Sequence, residues 1–172
     1  RTPSSYAESV SKSSLSNLSL HKKPGHAALR RGRDSVTSQR YLVTFTTHGR
    51  QALFSNHALA LDAAKEIHDR RSWQKATLLA WVLMPDHWHG LIELGEDESL
   101  SDLMRSFKAN VSRRLRVSWP RLGPVWGKSF HDRALRHEED AITLARYIVL
   151  NPVRAGLVRK VGDYPFWNAV WL

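Results

Sequence analysis

The sequence predicts an α+β domain in which an antiparallel sheet carries helices packed against it. Two apolar runs of strand length, residues 77–83 and 87–94, are separated by the turn formers Pro85 and Asp86, which is typical of a hairpin. Apolar residues then recur at helical spacing across residues 100–115. The predicted elements follow in the order β-α-β-β-α-β-α, which favours an antiparallel sheet.

The bulk composition restricts the kind of protein this chain can be. Its 172 residues correspond to one domain, and a formal net charge of +10, from 26 basic against 16 acidic residues, indicates a polyanionic partner. The absence of cysteine excludes disulfides and thiolate zinc sites. No apolar stretch approaches the roughly 20 residues that span a bilayer, and the N-terminal segment lacks the apolar core of a secretion signal. We therefore expect a cytoplasmic protein with no membrane partner.

The first 37 residues differ in composition from the rest. They are rich in serine, and residues 1–40 hold eight lysines and arginines against Glu8 and Asp34. Such a segment buries too little apolar surface to offset the entropy of ordering it. The sequence predicts a mostly disordered basic leader over residues 1–37 and one folded domain over residues 38–172.

The first half of the folded domain begins with a strand. Residues 41–46 are β-branched and aromatic, which favours extended structure. Asn56 is a suitable N-cap for a helix over residues 57–72, whose alanines and Ile67 form an apolar stripe. The hairpin follows, and its second strand begins at His87, directly after the turn.

The second half contains two predicted helices and one short strand. Ser99 is the predicted N-cap of the amphipathic helix that begins at Leu100, and the opposite face of this helix is basic. Residues 129–136 favour a short strand. The last helix opens with the segment 137–140, whose acidic side chains suit the positive end of a helix dipole, and Pro152 is expected to end it.

A pair of histidines follows the turn of the predicted hairpin. Alternate side chains of a strand point to the same face, so His87 and His89 can offer two imidazole nitrogens to one divalent cation, while Trp88 anchors the strand in the core. No third histidine or cysteine stands nearby in the sequence to complete a structural zinc site. The alternative is structural: two polar positions on an exposed strand face, or one buried and hydrogen-bonded histidine.

A tyrosine and an asparagine share one face of the last predicted helix. Tyr147 and Asn151 are four residues apart, and Thr143 lies on the same face, which is polar for a buried tyrosine. A tyrosine hydroxyl can act as a nucleophile on a phosphodiester, and an amide oxygen can ligate a hard cation. Two alternatives stay open: Tyr147 as a core aromatic, and Asn151 as a helix-ending residue before a proline.

Two segments carry a resemblance to a known family. Residues 82–89 read Val-Leu-Met-Pro-Asp-His-Trp-His, and residues 147–158 read Tyr-Ile-Val-Leu-Asn-Pro-Val-Arg-Ala-Gly-Leu-Val. Together they resemble the REP-associated tyrosine transposases, bacterial single-tyrosine relatives of the nucleases with a His-hydrophobic-His motif. The resemblance extends over about residues 29–172, including Arg-Gly-Arg at 31–33 and Asp-Tyr-Pro-Phe at 163–166. It implies a ferredoxin-like (RRM-like) fold for residues 38–172, as a transposase-like catalytic domain.

The resemblance also implies a reaction and its site. By their motifs, His87 and His89 become ligands of Mg²⁺ or Mn²⁺, Asn151 a third ligand and Tyr147 the nucleophile. The implied enzyme cleaves and rejoins single-stranded DNA with hairpins, the repetitive extragenic palindromes, through a 5′-phosphotyrosine intermediate. It is expected to act as a monomer or a homodimer and, as a DNA-processing enzyme, to be nucleoid-associated.

The nucleophile needs help to ionise, since the ordinary pKa of tyrosine is about 10. Arg146 and Arg154 are candidates because they lie close to Tyr147 in the sequence.

The basic residues of the folded domain are concentrated in residues 105–136, where nine lysines and arginines face a single acid, Asp132. This concentration favours a surface that follows a phosphate backbone, although a charge run is also typical of an ordinary solvated face. Trp126 and Phe130 are candidates for stacking on unpaired bases, with core packing as the alternative. The predicted phosphate contacts are Arg31, Arg33, Lys108, Arg113, Arg114, Arg133 and Arg136.

Two other functions compete with strand transfer. One is a non-catalytic module that binds single-stranded nucleic acid through the basic helix around residues 105–116 and uses the histidines only structurally. The other is a metal-dependent phosphodiesterase that uses water as the nucleophile and does not need Tyr147.

Overall fold

The computed structural model describes residues 39–136 and 140–171, and it confirms the predicted α+β class. The strands form one antiparallel sheet in the spatial order β4-β1-β3-β2-β5. The elements are the strands β1 (Arg40–Thr46), β2 (Ala76–Leu83), β3 (His87–Leu94), β4 (His131–Ala134) and β5 (Trp167–Ala169) and the helices α1 (His57–His68), α2 (Leu100–Ser118), α3 (Ala141–Val149) and α4 (Asn151–Arg154).

The connectivity of the first four strands is that of the ferredoxin-like fold. Because β1 and β3 occupy the centre of the sheet, the crossover from β1 through α1 to β2 spans β3, and the crossover from β3 through α2 to β4 spans β1. This is the split βαββαβ arrangement that the resemblance implied. The fifth strand, β5, extends the sheet beyond β2.

One face of the sheet is covered by α1 and α2, which pack against each other. Phe107 of α2 contacts Phe45 of β1 and Trp88 of β3, with ring centroids 6.2 and 5.6 Å apart. Trp73, in a short 3-10 turn after α1, lies 4.8 Å from the Phe107 ring. All four rings are buried. Large aromatic side chains therefore hold both helices on this face.

The opposite face of the central strands carries the histidines. Side chains alternate along β3, so His87, His89 and Leu91 point away from Trp88. Leu91 pairs with Ala80 of β2, and both are fully buried although α1 and α2 lie on the other side. The helix that contacts β2 and β3 here is α3. The sheet thus separates α1 and α2 from α3 and the histidine pair.

The predicted helix over residues 57–72 is shorter in the structure and ends at His68. Asn56 caps it as expected, accepting a hydrogen bond from the backbone N–H of Leu59. Asp69 leaves the helical conformation, with φ −65° and ψ 120°, and its side chain accepts from the N–H of Arg71. An aspartate that caps the following turn ends the helix because its carboxylate competes for backbone N–H groups.

The helix that follows β3 agrees with its prediction. Ser99 is its N-cap, since the hydroxyl accepts from the N–H of Asp102. The apolar positions of the predicted stripe are all buried; they are Leu100, Leu103, Met104, Phe107, Val111 and Leu115.

The prediction for the last helix is correct at Asp140 and wrong at Pro152. Asp140 is the N-cap of α3, which begins at Ala141, and its carboxylate accepts from the N–H groups of Ile142 and Thr143, as expected of an acid at the positive end of a helix dipole. Residues 137–139 lie outside the described residues. Pro152 does not end the helical path: it stands in the first turn of α4, where proline lacks only an N–H that has no helical partner anyway.

The remaining strand predictions need two corrections. The strand predicted over residues 129–136 is reduced to His131–Ala134, and β5 was not predicted. The predicted leader over residues 1–37 lies outside the described residues. No helix of the described ranges is long and apolar enough to cross a membrane.

Candidate active site

The turn before the histidines is fixed by backbone hydrogen bonds to two other segments. The N–H of Thr47 donates to the carbonyl of Asp86 at 2.8 Å, and the N–H of Phe54 donates to the carbonyl of Pro85 at 3.0 Å. The hydroxyl of Thr47, a fully buried residue, donates to the carbonyl of Gln51. The two backbone bonds hold the turn in place, so the start of β3 at His87 has a defined position.

The residue between the histidines anchors the strand, as predicted. Trp88 has no exposed surface and stacks on Phe45 with 4.9 Å between ring centroids. Its indole folds over Gly90, where an added Cβ would lie only 1.9 Å from Cη2 of the ring. The packing of Trp88 in the core therefore fixes the position of β3, and this limits the movement of the two imidazoles on the other face of the strand.

Each imidazole is oriented by one neighbouring oxygen. Nδ1 of His87 lies 2.6 Å from Oδ1 of Asp86, and since a carboxylate only accepts, the ring N–H must donate to it. Nδ1 of His89 lies 2.7 Å from the hydroxyl of Thr44, the residue paired with it across β1 and β3. The two rings are adjacent, with centroids 4.7 Å apart. Among the described residues, nothing bonds either Nε2 atom, so both are available as ligand atoms.

The charge state of His89 suits metal binding. Burial lowers its pKa to about 4, and the electrostatic effects of the nearby His87 and Arg154 side chains add to this lowering. His89 is therefore neutral near pH 7, and a neutral imidazole is the form that ligates a metal.

The donor set fits a cation with open coordination positions. Two imidazoles whose Nδ1 atoms are bonded to outer oxygens form the arrangement by which proteins orient metal-binding histidines. The described part of the chain contains no cluster of three or more His, Cys, Asp or Glu side chains that could hold a metal ion. Among the described residues, a third ligand beside the pair would therefore have to be of another type, such as an amide oxygen.

The tyrosine lies on the exposed side of α3. The buried residues of this helix include Ala145, Ile148 and Val149, whereas Tyr147 keeps 53% of its surface exposed. The alternative of a core aromatic is therefore wrong, because the apolar stripe of α3 is complete without Tyr147. An exposed phenol on a helix packed against β2 and β3 is accessible to a large substrate.

The amide of Asn151 is held by its neighbours. Its Nδ2 donates to the carbonyl of Ile148 at 2.8 Å, and its Oδ1 accepts from Nη2 of Arg154 at 2.7 Å. The amide oxygen has a second lone pair for a cation. Its role as a ligand stays a prediction.

The predicted phosphate contacts on α2 lie on the side of the sheet opposite the histidines. Lys108 donates to the carbonyls of Gly127 and Lys128, and Arg114 forms ion pairs with Glu66 and Asp69 near the end of α1. Lys108 and Arg114 therefore already interact with other groups of the protein, which makes them less available for contacts with phosphates.

Other members of the predicted set are placed differently. Arg113 is exposed on α2 and bonds Asn110. Arg133 of β4 pairs with Leu42 of β1, which points to the histidine face, so Arg133 points there too. Arg136 is exposed just after β4. Arg31 and Arg33 lie outside the described residues.

The two aromatic residues proposed to stack on bases are not equivalent. Trp126 is buried against Phe45 and Phe54, with centroids 5.0 and 5.2 Å away, so the core-packing alternative is correct for it. Its segment is pinned by a bridge between Thr47 and Trp126. Phe130 is half-buried beside the core.

Sequence reasoning named neither Thr44 nor the orienting role of Asp86. Asp86 was recognised only as a turn former, although its position next to His87 was a usable signal. The contact of Thr44 with His89 depends on the register of β1 against β3, which the sequence does not reveal. Arg154 was named only for its proximity along the chain.

A ferredoxin-like sheet with a histidine pair on one face, and a tyrosine-bearing helix packed on that face, defines the class of single-tyrosine transposases that the motifs resemble. Residues 35–149 match the family described as "Transposase IS200 like", and the chain belongs to that family.

Curated relatives agree with this assignment, and a solved structure shares the fold. The REP-associated tyrosine transposase of Escherichia coli (strain K12) is 33% identical over 88 residues, which are 51% of this chain and 50% of the relative. The chain spans about half the length of the curated relatives it matches. The structure of a REP-associated tyrosine transposase bound to a REP hairpin superposes with a TM-score of 0.60 at 24% identity, covering 78% of this chain and 79% of that one. At 24% identity, this structural match supports the fold alone.

Proposed function

We propose that the domain over residues 38–172 cleaves and rejoins single-stranded DNA that carries short hairpins of the REP type, with Tyr147 as the nucleophile. The observation that carries the proposal is that an exposed phenol and a pair of oriented imidazoles belong to elements packed on the same face of one sheet. The curated relative and the hairpin-bound structural neighbour support the choice of substrate.

His87 and His89 would hold Mg²⁺ or Mn²⁺ through their Nε2 atoms, with the amide oxygen of Asn151 as a third ligand. Such a cation supplies charge stabilisation to the oxygens of a phosphodiester. Asp86 and Thr44 keep the two rings in the ligating orientation by bonding Nδ1.

The covalent chemistry takes place at Tyr147. Its phenol oxygen forms a bond to phosphorus as the bond from phosphorus to the 3′-oxygen breaks; the phenol loses its proton and the departing 3′-oxygen gains one. The product is a 5′-phosphotyrosine and a free 3′-OH. Because the phosphotyrosine is itself a phosphodiester, a second 3′-OH can attack it and rejoin strands without a nucleotide cofactor.

The test is formation of a covalent protein–DNA adduct. The protein is incubated with Mn²⁺ and single-stranded oligonucleotides that carry hairpins, and adducts are separated on a denaturing gel. We expect an adduct with the parent and with Tyr41→Phe, a matched control at a buried tyrosine of β1, and none with Tyr147→Phe.

The two competing functions predict different results in this assay. Binding to the hairpins without adduct would establish the non-catalytic module. Cleavage that survives Tyr147→Phe would establish a phosphodiesterase that uses water. Either result would overturn the proposal.

A further inference from the structure

One side chain joins the proposed nucleophile to Asn151. The guanidinium carbon of Arg154 lies 3.7 Å from the centre of the Tyr147 ring, well within cation–π distance. Nη1 of Arg154 donates to the backbone carbonyl of Tyr147 at 2.8 Å, and Nη2 donates to Oδ1 of Asn151 at 2.7 Å. Three contacts from one planar group fix its position against the tyrosine.

The short helix α4, which directly follows α3, places Arg154 near Tyr147. α3 ends at Val149, and α4 begins at Asn151. The N–H of Arg154 then donates to the carbonyl of Leu150 at 3.0 Å, so the chain completes one further turn beyond α3. Arg154, the last residue of α4, reaches back over the exposed ring of Tyr147.

The guanidinium of Arg154 has N–H groups that make no hydrogen bond to the described residues. It carries five N–H groups, and the two hydrogen bonds above are those it makes to the described residues. Its side chain is exposed. A positive charge with unused donors thus lies against the ring of Tyr147.

We propose that Arg154 is a catalytic residue that holds the ring of Tyr147 in its attacking orientation and binds non-bridging oxygens of the scissile phosphate with its remaining N–H groups. This inference rests on the function proposed above. The planar fork of arginine can stack on an aromatic ring and contact a phosphate at the same time, which the point charge of a lysine cannot do. Charge developing on the phosphate oxygens as the Tyr147 bond forms would meet a donor already in place.

The first test measures the single-turnover rate of adduct formation at saturating hairpin DNA. We expect Arg154→Ala to lower this rate on the order of 100-fold, as the loss of one preorganised donor does in other enzymes. Arg154→Lys should stay well below the parent. Added guanidinium ion should partly restore Arg154→Ala, which a purely structural role would not allow if the unfolding midpoint is unchanged.

The matched control is Arg159→Ala, an exposed arginine soon after α4 that bonds no described residue. It should react at the parent rate. If Arg154→Ala reacts as fast as Arg159→Ala, the catalytic role is overturned while adduct formation itself still stands.

The second test does not depend on activity. In a Tyr147→Phe background, hairpin affinity is measured over a series of salt concentrations. Arg154→Ala should reduce the slope of log affinity against log salt by about 1, the signature of one lost phosphate contact. An unchanged slope overturns the phosphate contact. If the parent forms no adduct, this slope still decides whether Arg154 binds a phosphate, so failure of the proposed function and failure of this inference remain distinct.

Discussion

The hydroxyl of Thr44 and Nδ1 of His89 lie 2.7 Å apart, on residues that are paired directly across β1 and β3. The sheet register therefore sets the orientation of one imidazole, while Asp86, next in sequence to His87, sets the other. One histidine is oriented by tertiary structure and one by its immediate neighbour.

Removing the hydroxyl of Thr44 should weaken metal binding. In Thr44→Val the ring of His89 loses its partner, and we expect the affinity for Mn²⁺ to fall by about 10-fold, as is typical when an outer hydrogen bond to a ligand is lost. Titration calorimetry on the DNA-free protein measures this. Thr46→Val is the control, since Thr46 faces the same side opposite His87 but its hydroxyl bonds no described residue. Equal affinities for both variants would contradict the orienting role of Thr44.

Adding a methyl group at Gly90 should destabilise the fold strongly. The new Cβ would lie 1.9 Å from Cη2 of Trp88, whose ring is enclosed between Phe45 and Phe107 and cannot move away. We expect Gly90→Ala to lower the free energy of unfolding by about 3 kcal/mol or more, measured by urea denaturation. Gly123→Ala, at a site with nothing within 4 Å of the added atom, should change it by less than about 0.5 kcal/mol. Similar stabilities of the two variants would show that the Trp88 ring can shift.

The phenol of Tyr164 should make stability depend on alkaline pH. Its hydroxyl donates to the carbonyl of Leu83 at 2.7 Å, and burial raises its pKa to about 12 from an ordinary value of 10.0. A pKa that is raised in the folded state means that the protonated phenol stabilises the fold fully below pH 10, and that this stabilisation is lost as the pH rises towards 12.

Tyr164→Phe removes both the bond and the titration. We expect about 1 kcal/mol lower stability near neutral pH, since a buried carbonyl loses its donor. Between pH 10 and 12, urea denaturation should show a steeper loss for the parent than for the variant. A parallel decline of the two proteins would mean that the pKa of Tyr164 is not raised by folding.

Two arginines from the predicted set should differ in their effect on DNA binding. Arg133 points to the face that carries the histidines, whereas Arg114 pairs with Glu66 and Asp69 on the other side of the sheet. We expect Arg133→Ala to weaken hairpin binding and to reduce its salt slope by about 1, and Arg114→Ala to leave that slope unchanged. Fluorescence anisotropy over a salt series measures both. A larger effect at Arg114 would place the DNA on the α1 and α2 side.

The elements that could be predicted are those with strong local signals. The hairpin is encoded by two apolar runs around Pro85 and Asp86, and α2 by an apolar stripe that begins just after Ser99. The histidine pair follows from strand alternation alone. Tyr147 was assigned to the correct helix face because the apolar positions of α3 were sufficient without it.

What could not be predicted depends on partners distant in the chain. β5 has only three residues, and its strand character comes from pairing with β2. The burial of Trp126 depends on its contacts with Phe45 and Phe54, which no local pattern reveals. The boundary at Leu150 between α3 and α4 could not be predicted either, because a proline at position 152 is compatible with ending one helix or starting the next.

The position of α3 after the ferredoxin-like unit has a consequence for protein synthesis. Every strand and helix of that unit, including the histidines of β3, leaves the ribosome before α3 does. A nascent chain can therefore fold its sheet and present both imidazoles while it still lacks its phenol. If Tyr147 is the nucleophile, a nascent chain gains the ability to break DNA only once α3 has emerged, and a product that ends before α3 lacks that ability.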